Sequence, residues 1–244
     1  AKFGSNLIAV ANGEASVSVD IETSDDLSIW NTGGTASATV SIDGDAQFLR
    51  FKMTDDPDSL ADVSQLFHTQ SWSQETAYKR VALIKYPDSD SQSHPVLILM
   101  HGAGGNAYGM INQYMGLEDY ILVALQGYDN RWNIQTESSK ADDLGYIENI
   151  INQLKTYSDV DANNISLMGS SNGAAMVNRS MIELPEGTFK NAISLASQLS
   201  TDQYRNNAFW GDDNNDGSYD TGYTLSPNLR ALSLHGTNDT TIPY

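Results

Sequence analysis

The chain has 244 residues, with 31 Asp and Glu against 13 Lys and Arg, a formal net charge of −18 and no cysteine. A composition that is 40% hydrophobic and 9% aromatic supports a core and excludes wholesale disorder; the missing cysteine excludes a disulfide scaffold, Cys-ligated metal sites and a thiol nucleophile. The charge speaks against nucleic-acid and anionic-membrane partners, and no apolar run approaches the ~20 residues that cross a bilayer, so a soluble protein is expected.

Residues 1–75 read as a small β-rich module and linker. The segment 15–23 alternates apolar and polar residues with period two, as do 38–42 and 48–53, with Gly33-Gly34 and Asp43-Gly44-Asp45 as the expected turns. The stretch Met53 to Glu75, rich in Asp, Ser and Gln, is the linker candidate. From 76 to 244 the pattern changes. Strands are expected at 78–86, at the continuous apolar run 95–100 and at 120–125. A helix is expected over 139–157, from Leu144, Ile147, Ile150, Ile151 and Leu154 at helical spacing, with Ser139 and Asp142 resembling a capping box. A strand at 164–168, a helix from Gly173 and strands at 191–195 and 229–234 complete the pattern. Strands alternating with helices predict an α/β class with a doubly wound, mainly parallel sheet.

The sharpest motif is Gly169-Ser170-Ser171-Asn172-Gly173, directly after a strand and directly before a helix. G-x-S-x-G in that setting is a nucleophile elbow, where the turn is too tight for side chains at the two glycines. Ser171 is the candidate nucleophile, and the backbone N–H of Asn172 at the helix start is a candidate oxyanion donor. A plain small-residue turn is the competing reading. The glycine-rich loop His101-Gly102-Ala103-Gly104-Gly105-Asn106 follows another buried strand and offers Ala103 N–H as the second donor. A phosphate cradle or an ordinary turn competes there, though the loop lacks G-x-G-x-x-G and a Walker lysine. His101 reads as architectural rather than as a base. Asp239, 68 residues after Ser171 on the loop following the last expected strand, fits the acid of an order Ser…Asp…His, although an Asp there is also an ordinary turn-former.

Together these motifs resemble the α/β-hydrolase esterases that include polyhydroxybutyrate depolymerases and related feruloyl and acetylxylan esterases. The resemblance runs from about Tyr78 to Tyr244 and takes in Ala141-Asp142-Asp143 at the helix start, Val160-Asp-Ala-Asn163 before the elbow strand, and Arg131-Trp132-Asn133. It implies a secreted serine esterase acting on a plant-derived or polymeric ester through an acyl-enzyme, without an organic cofactor. It also implies a triad histidine some tens of residues after the acid. All four histidines, His68, His94, His101 and His235, precede Asp239. Three explanations stand: a chain truncated before its catalytic histidine, an upstream histidine such as His68 in its place, or a catalytically incomplete binding or adhesion module on the hydrolase scaffold.

Asp212, Asn214, Asp216, Ser218 and Asp220 place oxygen ligands at loop positions 1, 3, 5, 7 and 9, with Gly217 at position 6. That spacing is the one used by Ca²⁺ loops, departing at position 12, where Tyr223 stands. A structural calcium site is the expectation, and a solvated Asp/Asn turn is the alternative. Trp132, Trp210 and Tyr219 are cleft candidates or core residues. The acidity itself is Asp-rich, 23 Asp against 8 Glu with only 7 Lys, which suits a saline, extracellular setting as well as an ordinary acidic protein. Residues 1–16 carry no signal-peptide pattern, and the opening Ala1 fits a processed or trimmed chain.

Overall fold

A computed structural model describes residues 7–11, 14–23, 31–41, 63–87, 93–134, 137–197 and 199–242. The chain divides into two compact units, Ala1–Thr54 and Asp55–Tyr244. In the first, β1 (Leu7–Ala11), β2 (Glu14–Thr23) and β3 (Asn31–Ser41) form an antiparallel sheet in the order β1-β2-β3. The expected turn at Gly33-Gly34 falls inside β3. Ile21 pairs with Gly34 and Glu22 with Thr32, so Gly33 is the extra residue of a bulge, a place where a strand accepts glycine readily. The segment 48–53 and the turn at 43–45 lie outside the described residues.

The second unit begins earlier than position 76. β4 (Val63–Trp72) occupies ten residues of the stretch expected as a linker, and pairs antiparallel with β5 (Glu75–Lys85) from Val63↔Lys85 to Trp72↔Glu75. Its polar residues misled because β4 is an outer strand whose side chains alternate between half-buried and exposed. The remaining elements are β6 (His94–Met100), α1 (Ala107–Tyr114), β7 (Ile121–Leu125), α2 (Asp143–Leu154), β8 (Val160–Ser170), α3 (Asn172–Glu183), β9 (Asn191–Leu195) and β13 (Arg230–Leu234). A separate small antiparallel sheet holds β10 (Tyr204–Arg205), β11 (Ala208–Gly211) and β12 (Thr221–Tyr223).

The main sheet has seven strands in the order β13-β9-β8-β6-β7-β5-β4. Its pairs are parallel from β13 through β7, and antiparallel at β7–β5 and β5–β4. β6 is buried on both faces. Val96, Ile98 and Met100 face the layer that holds Ile147, Ile150, Ile151 and Val177 of α2 and α3, while Leu97 and Leu99 meet Ala107, Met110 and Ile111 of α1. Each such Val, Leu, Ile or Met side chain contributes about 1.5–3 kcal/mol on burial. α2 starts at Asp142, whose Oδ1 accepts the Gly145 N–H at 2.8 Å, and not at Ser139, whose hydroxyl accepts from Ala141. α1 was not expected, being short and only weakly patterned.

The chain leaves β6 toward β7 through α1 on one face, and leaves β8 toward β9 through α3 on the other. The carboxyl ends of β6 and β8 therefore flank a topological switch point, where open α/β sheets form their crevice. At the sheet's outer edge all five residues of β13 are exposed, Leu232 and Leu234 by 51% and 52%. No described helix is long and apolar enough to cross a membrane.

Candidate active site

Ser171 sits between β8 and α3 with φ 52° and ψ −120°. This left-handed conformation costs a non-glycine residue about 1–3 kcal/mol and clusters at functional sites. Serine at a helix N-cap ordinarily accepts a bond from the first turn. Here the side chain makes no capping bond, and its hydroxyl is left for other work. Ser171 N–H donates to Leu195 O at 2.9 Å, and Ser171 O accepts the Ala175 N–H at 3.0 Å, so the strained residue is held at both ends.

The two flanking glycines are set by contact. A Cβ at Gly169 would stand 2.2 Å from Gly173 O, and one at Gly173 would stand 2.3 Å from Met100 O and 2.5 Å from His101 O. The β8–α3 turn is thus pressed against the end of β6. A Cβ on Gly102 would lie 3.4 Å from the Ser171 Cβ, which places the glycine-rich loop beside the nucleophile. Ala103 is exposed, and its N–H donates to none of the described groups, whereas Gly104 N–H is used by Asn130 O and Gly105 N–H by Gly102 O. The Asn172 N–H lies in the first turn of α3, whose donors have no partner one turn back.

His101 is architectural, as expected. It is 2% exposed; Nδ1 lies 2.8 Å from Gly102 O and Nε2 accepts the Gly127 N–H at 3.0 Å. Burial pushes its pKa below the usual histidine value, against the opposing pull of the Gly102 carbonyl and the Asp143 charge.

Asp239 follows β13, whose Leu234 pairs with Leu195, which in turn pairs with Ser170 of β8. Two strand spacings separate β13 from β8, about 10 Å. Asp239 Oδ1 accepts the N–H groups of Ile242 at 2.9 Å and Thr241 at 2.8 Å, and these bonds hold its pKa below the usual carboxylate value. His235 Nε2 stands 3.8 Å from Asp239 Oδ2 and 2.6 Å from Ile242 O. His68 is not a substitute base. It lies on β4, four strand positions from β8 or about 19 Å, and stacks on Tyr146. His94 opens β6 at the end opposite the crevice, about 20 Å along the strand.

The calcium expectation meets a different arrangement. Asp212 is buried, and its carboxylate accepts the N–H groups of Asp216 at 3.0 Å and Gly217 at 2.9 Å. Its Oδ2 also faces Arg179 at 3.5 Å. Asn214, Asp216, Ser218 and Asp220 are exposed, and among the described residues no three His, Cys, Asp or Glu side chains stand together as ligands. A calcium site at this loop stands as a proposal from the spacing of its oxygen ligands, Asn and Ser included. A guanidinium is also packed against the loop: Arg179 pairs with Glu183 at 2.9 Å and donates to Asp212 O, Asn133 O and Asn215 Oδ1.

Of the two readings the aromatic candidates carried, the core one holds for Trp132 and Tyr219, and other residues left no sign in the sequence. Trp132 is fully buried and Tyr219 nearly so, with its hydroxyl on Ile134 O, so neither is a free cleft wall; Trp210 is half-buried against Arg205. A buried polar frame was missed. Arg80 pairs with Asp143 at 2.6 Å, Asp143 Oδ2 accepts the Asn133 N–H at 2.7 Å, and Asn133 Nδ2 donates to Asn215 at 2.9 Å. Only the Asp-Asp and Trp-Asn pairs hinted at it, because Arg80 looks like one more surface cation on a strand.

No family model matches the chain, and no curated protein matches it in sequence. Solved structures do match. A thermostable esterase is 14% identical with a TM-score of 0.54 over 99% of this chain and 60% of its own. An acetyl xylan esterase from Aspergillus awamori is 18% identical with a TM-score of 0.55 over 74% of each chain. LpqC, a poly(3-hydroxybutyrate) depolymerase from Bordetella parapertussis, is 16% identical with a TM-score of 0.53 over 75% of this chain and 69% of its own. At such identities the likeness is one of fold. The chain has the α/β-hydrolase fold and spans about 60% of the length of the thermostable esterase.

Proposed function

We propose that this protein is a serine hydrolase of carboxylic esters, working through an acyl-enzyme on Ser171. The observation that carries the reading is Ser171 itself: a strained, uncapped serine at a strand–helix elbow, with Gly102 of the facing loop against it. Its Oγ would attack the ester carbonyl and pass its proton to the triad histidine that the motif resemblance implies, a role that none of the four histidines as placed fills. The carbonyl oxygen would become an oxyanion held by the N–H groups of Asn172 and Ala103. The alcohol would leave with that proton, and water would then release the acid from Ser171. Asp239, kept ionised by two backbone N–H bonds, is suited to orient the imidazole.

The motif resemblance favours an acetyl, feruloyl or polyhydroxyalkanoate ester as substrate. The Asp-rich composition favours secretion into a saline medium. The commitments of the four histidines favour a second reading, a hydrolase-fold binding or adhesion module without turnover. Treatment with a fluorophosphonate, read by intact mass and peptide mapping, separates the two. Covalent label on Ser171, lost in Ser171→Ala, is expected; no label at any concentration overturns the esterase reading.

A further inference from the structure

The two proposed oxyanion donors sit on separate loops, one after β6 and one after β8. Useful donors must stand about 2.7–3.1 Å from a single oxygen, so their mutual spacing matters more than the position of either alone. The segment 127–133, which belongs to neither loop, touches both.

The side-chain amide of Asn172 is spent on that segment. Its Oδ1 accepts the Trp132 N–H at 2.7 Å, and its Nδ2 donates to Trp132 O at 3.1 Å. One planar amide thereby pairs with both polar groups of one residue, as a neighbouring strand would. The Trp132 indole reaches the opposite way, Nε1–H donating to His101 O at 2.8 Å. Its ring lies 5.3 Å from the His101 imidazole and is fully buried. The same segment meets the β6 loop twice more, through Gly127 N–H on His101 Nε2 and Asn130 O on Gly104 N–H. Next along the chain, Asn133 is anchored on Asp143, which Arg80 neutralises.

A residue that merely filled the core would need none of this. Phenylalanine would supply the apolar surface without binding the carbonyl of His101. The geometry points to Trp132 as a positioning residue that fixes the spacing between the Ala103 and Asn172 N–H groups, with the Asn172 side chain as the other half of the clasp. The catalytic meaning of that spacing rests on the esterase reading, whereas the mechanical coupling of the two loops does not. An aspartate at 172 would keep the bond from Trp132 N–H but face Trp132 O with a second acceptor.

Hydrogen–deuterium exchange on the full chain tests the coupling without any turnover. Trp132→Phe is expected to speed exchange about tenfold in peptides covering 101–106, which hold the bonded amides of Gly104 and Gly105, and 172–175, which hold that of Ala175. The α2 peptide 147–154 should exchange as in the wild type. Asn172→Ala is expected to loosen 101–106 as well, although the substitution lies outside that peptide; as a change at a half-buried position it carries the test if Trp132→Phe fails to fold. Acceleration confined to the substituted residue's own peptide, or none, overturns the proposal. Fluorophosphonate kinetics add a readout that packing alone would not move: Trp132→Phe should lower the maximal labelling rate about tenfold with the half-saturating concentration within twofold. A wild type that resists label counts against the esterase reading alone, and the exchange result still decides the coupling.

Discussion

The backbone N–H of Gly127 donates to Nε2 of His101 at 3.0 Å, which fixes the imidazole proton on Nδ1, where Gly102 O accepts it at 2.8 Å. The ring is therefore neutral and satisfied at both nitrogens, and a second proton would break the Gly127 bond.

That bond makes stability depend on pH. Burial lowers the folded-state pKa of His101, and burial with the nearby Arg80 charge lowers that of His68, both from an ordinary value of 6.5. Below that value the unfolded chain binds more protons than the folded one, so stability falls as pH falls through 6.5. The melting temperature should drop between pH 7.5 and 5.5. In His101→Gln the slope should flatten by up to about 1.4 kcal/mol per pH unit. An unchanged slope would show that His101 titrates normally in the folded state.

The commitments of the histidines lead to a second expectation. His101 is locked, His68 and His94 lie far from the elbow, and His235 Nε2 is held by Ile242 O. Added imidazole should therefore raise Ser171-dependent hydrolysis of p-nitrophenyl acetate above the rate without it, after subtraction of the Ser171→Ala background. A Ser171-dependent rate indifferent to imidazole would mean that the base is already in place.

The elbow should reveal its strain by substitution. Ser171→Gly, which adopts φ 52° without penalty, is expected to stabilise the fold by about 1 kcal/mol where Ser171→Ala does not. Gly173→Ala drives a Cβ into two backbone carbonyls at 2.3 and 2.5 Å and should cost about 3 kcal/mol or more. Gly116→Ala, with nothing within 4 Å, should stay within about 1 kcal/mol of the wild type. Urea midpoints would rank the four variants.

Arg179 gives the acidic loop its own test. Removing it as Arg179→Met leaves Glu183 and Asp212 buried without their cation, an expected loss of about 3–5 kcal/mol. Calcium at this loop, expected from its spacing, would have to compete with that guanidinium. If calcium binds there, the melting temperature of the wild type should be higher in millimolar CaCl₂ than in EGTA; an unchanged value would count against the metal.

The candidate site was legible where chemistry forces residue type onto the chain. Gly169, Ser171 and Gly173 could be read because backbone carbonyls forbid a Cβ at both flanks. The buried strands β6 and β7 could be read because apolar faces on both sides leave no polar positions. β4 could not, since an outer strand of Gln, Ser, Thr and His carries the composition of a loop. The Asp212 loop spelled a metal pattern because Asx turns and calcium loops draw on the same residues, and only the fold brings Arg179 to it. The partnership of Asn172 with Trp132 spans 40 positions and leaves no periodic trace.

β13 closes one side of the seven-stranded sheet with five exposed residues in a row. An edge of that kind can pair with its like in another molecule, and two half-bare leucines would reward the encounter. The mutual repulsion of molecules carrying −18 each opposes that pairing in dilute buffer. Salt shortens the reach of that repulsion to about 8 Å at 0.15 M and about 3 Å at 1 M. Self-association through this edge is therefore expected to rise with ionic strength, as light scattering across a salt series would show.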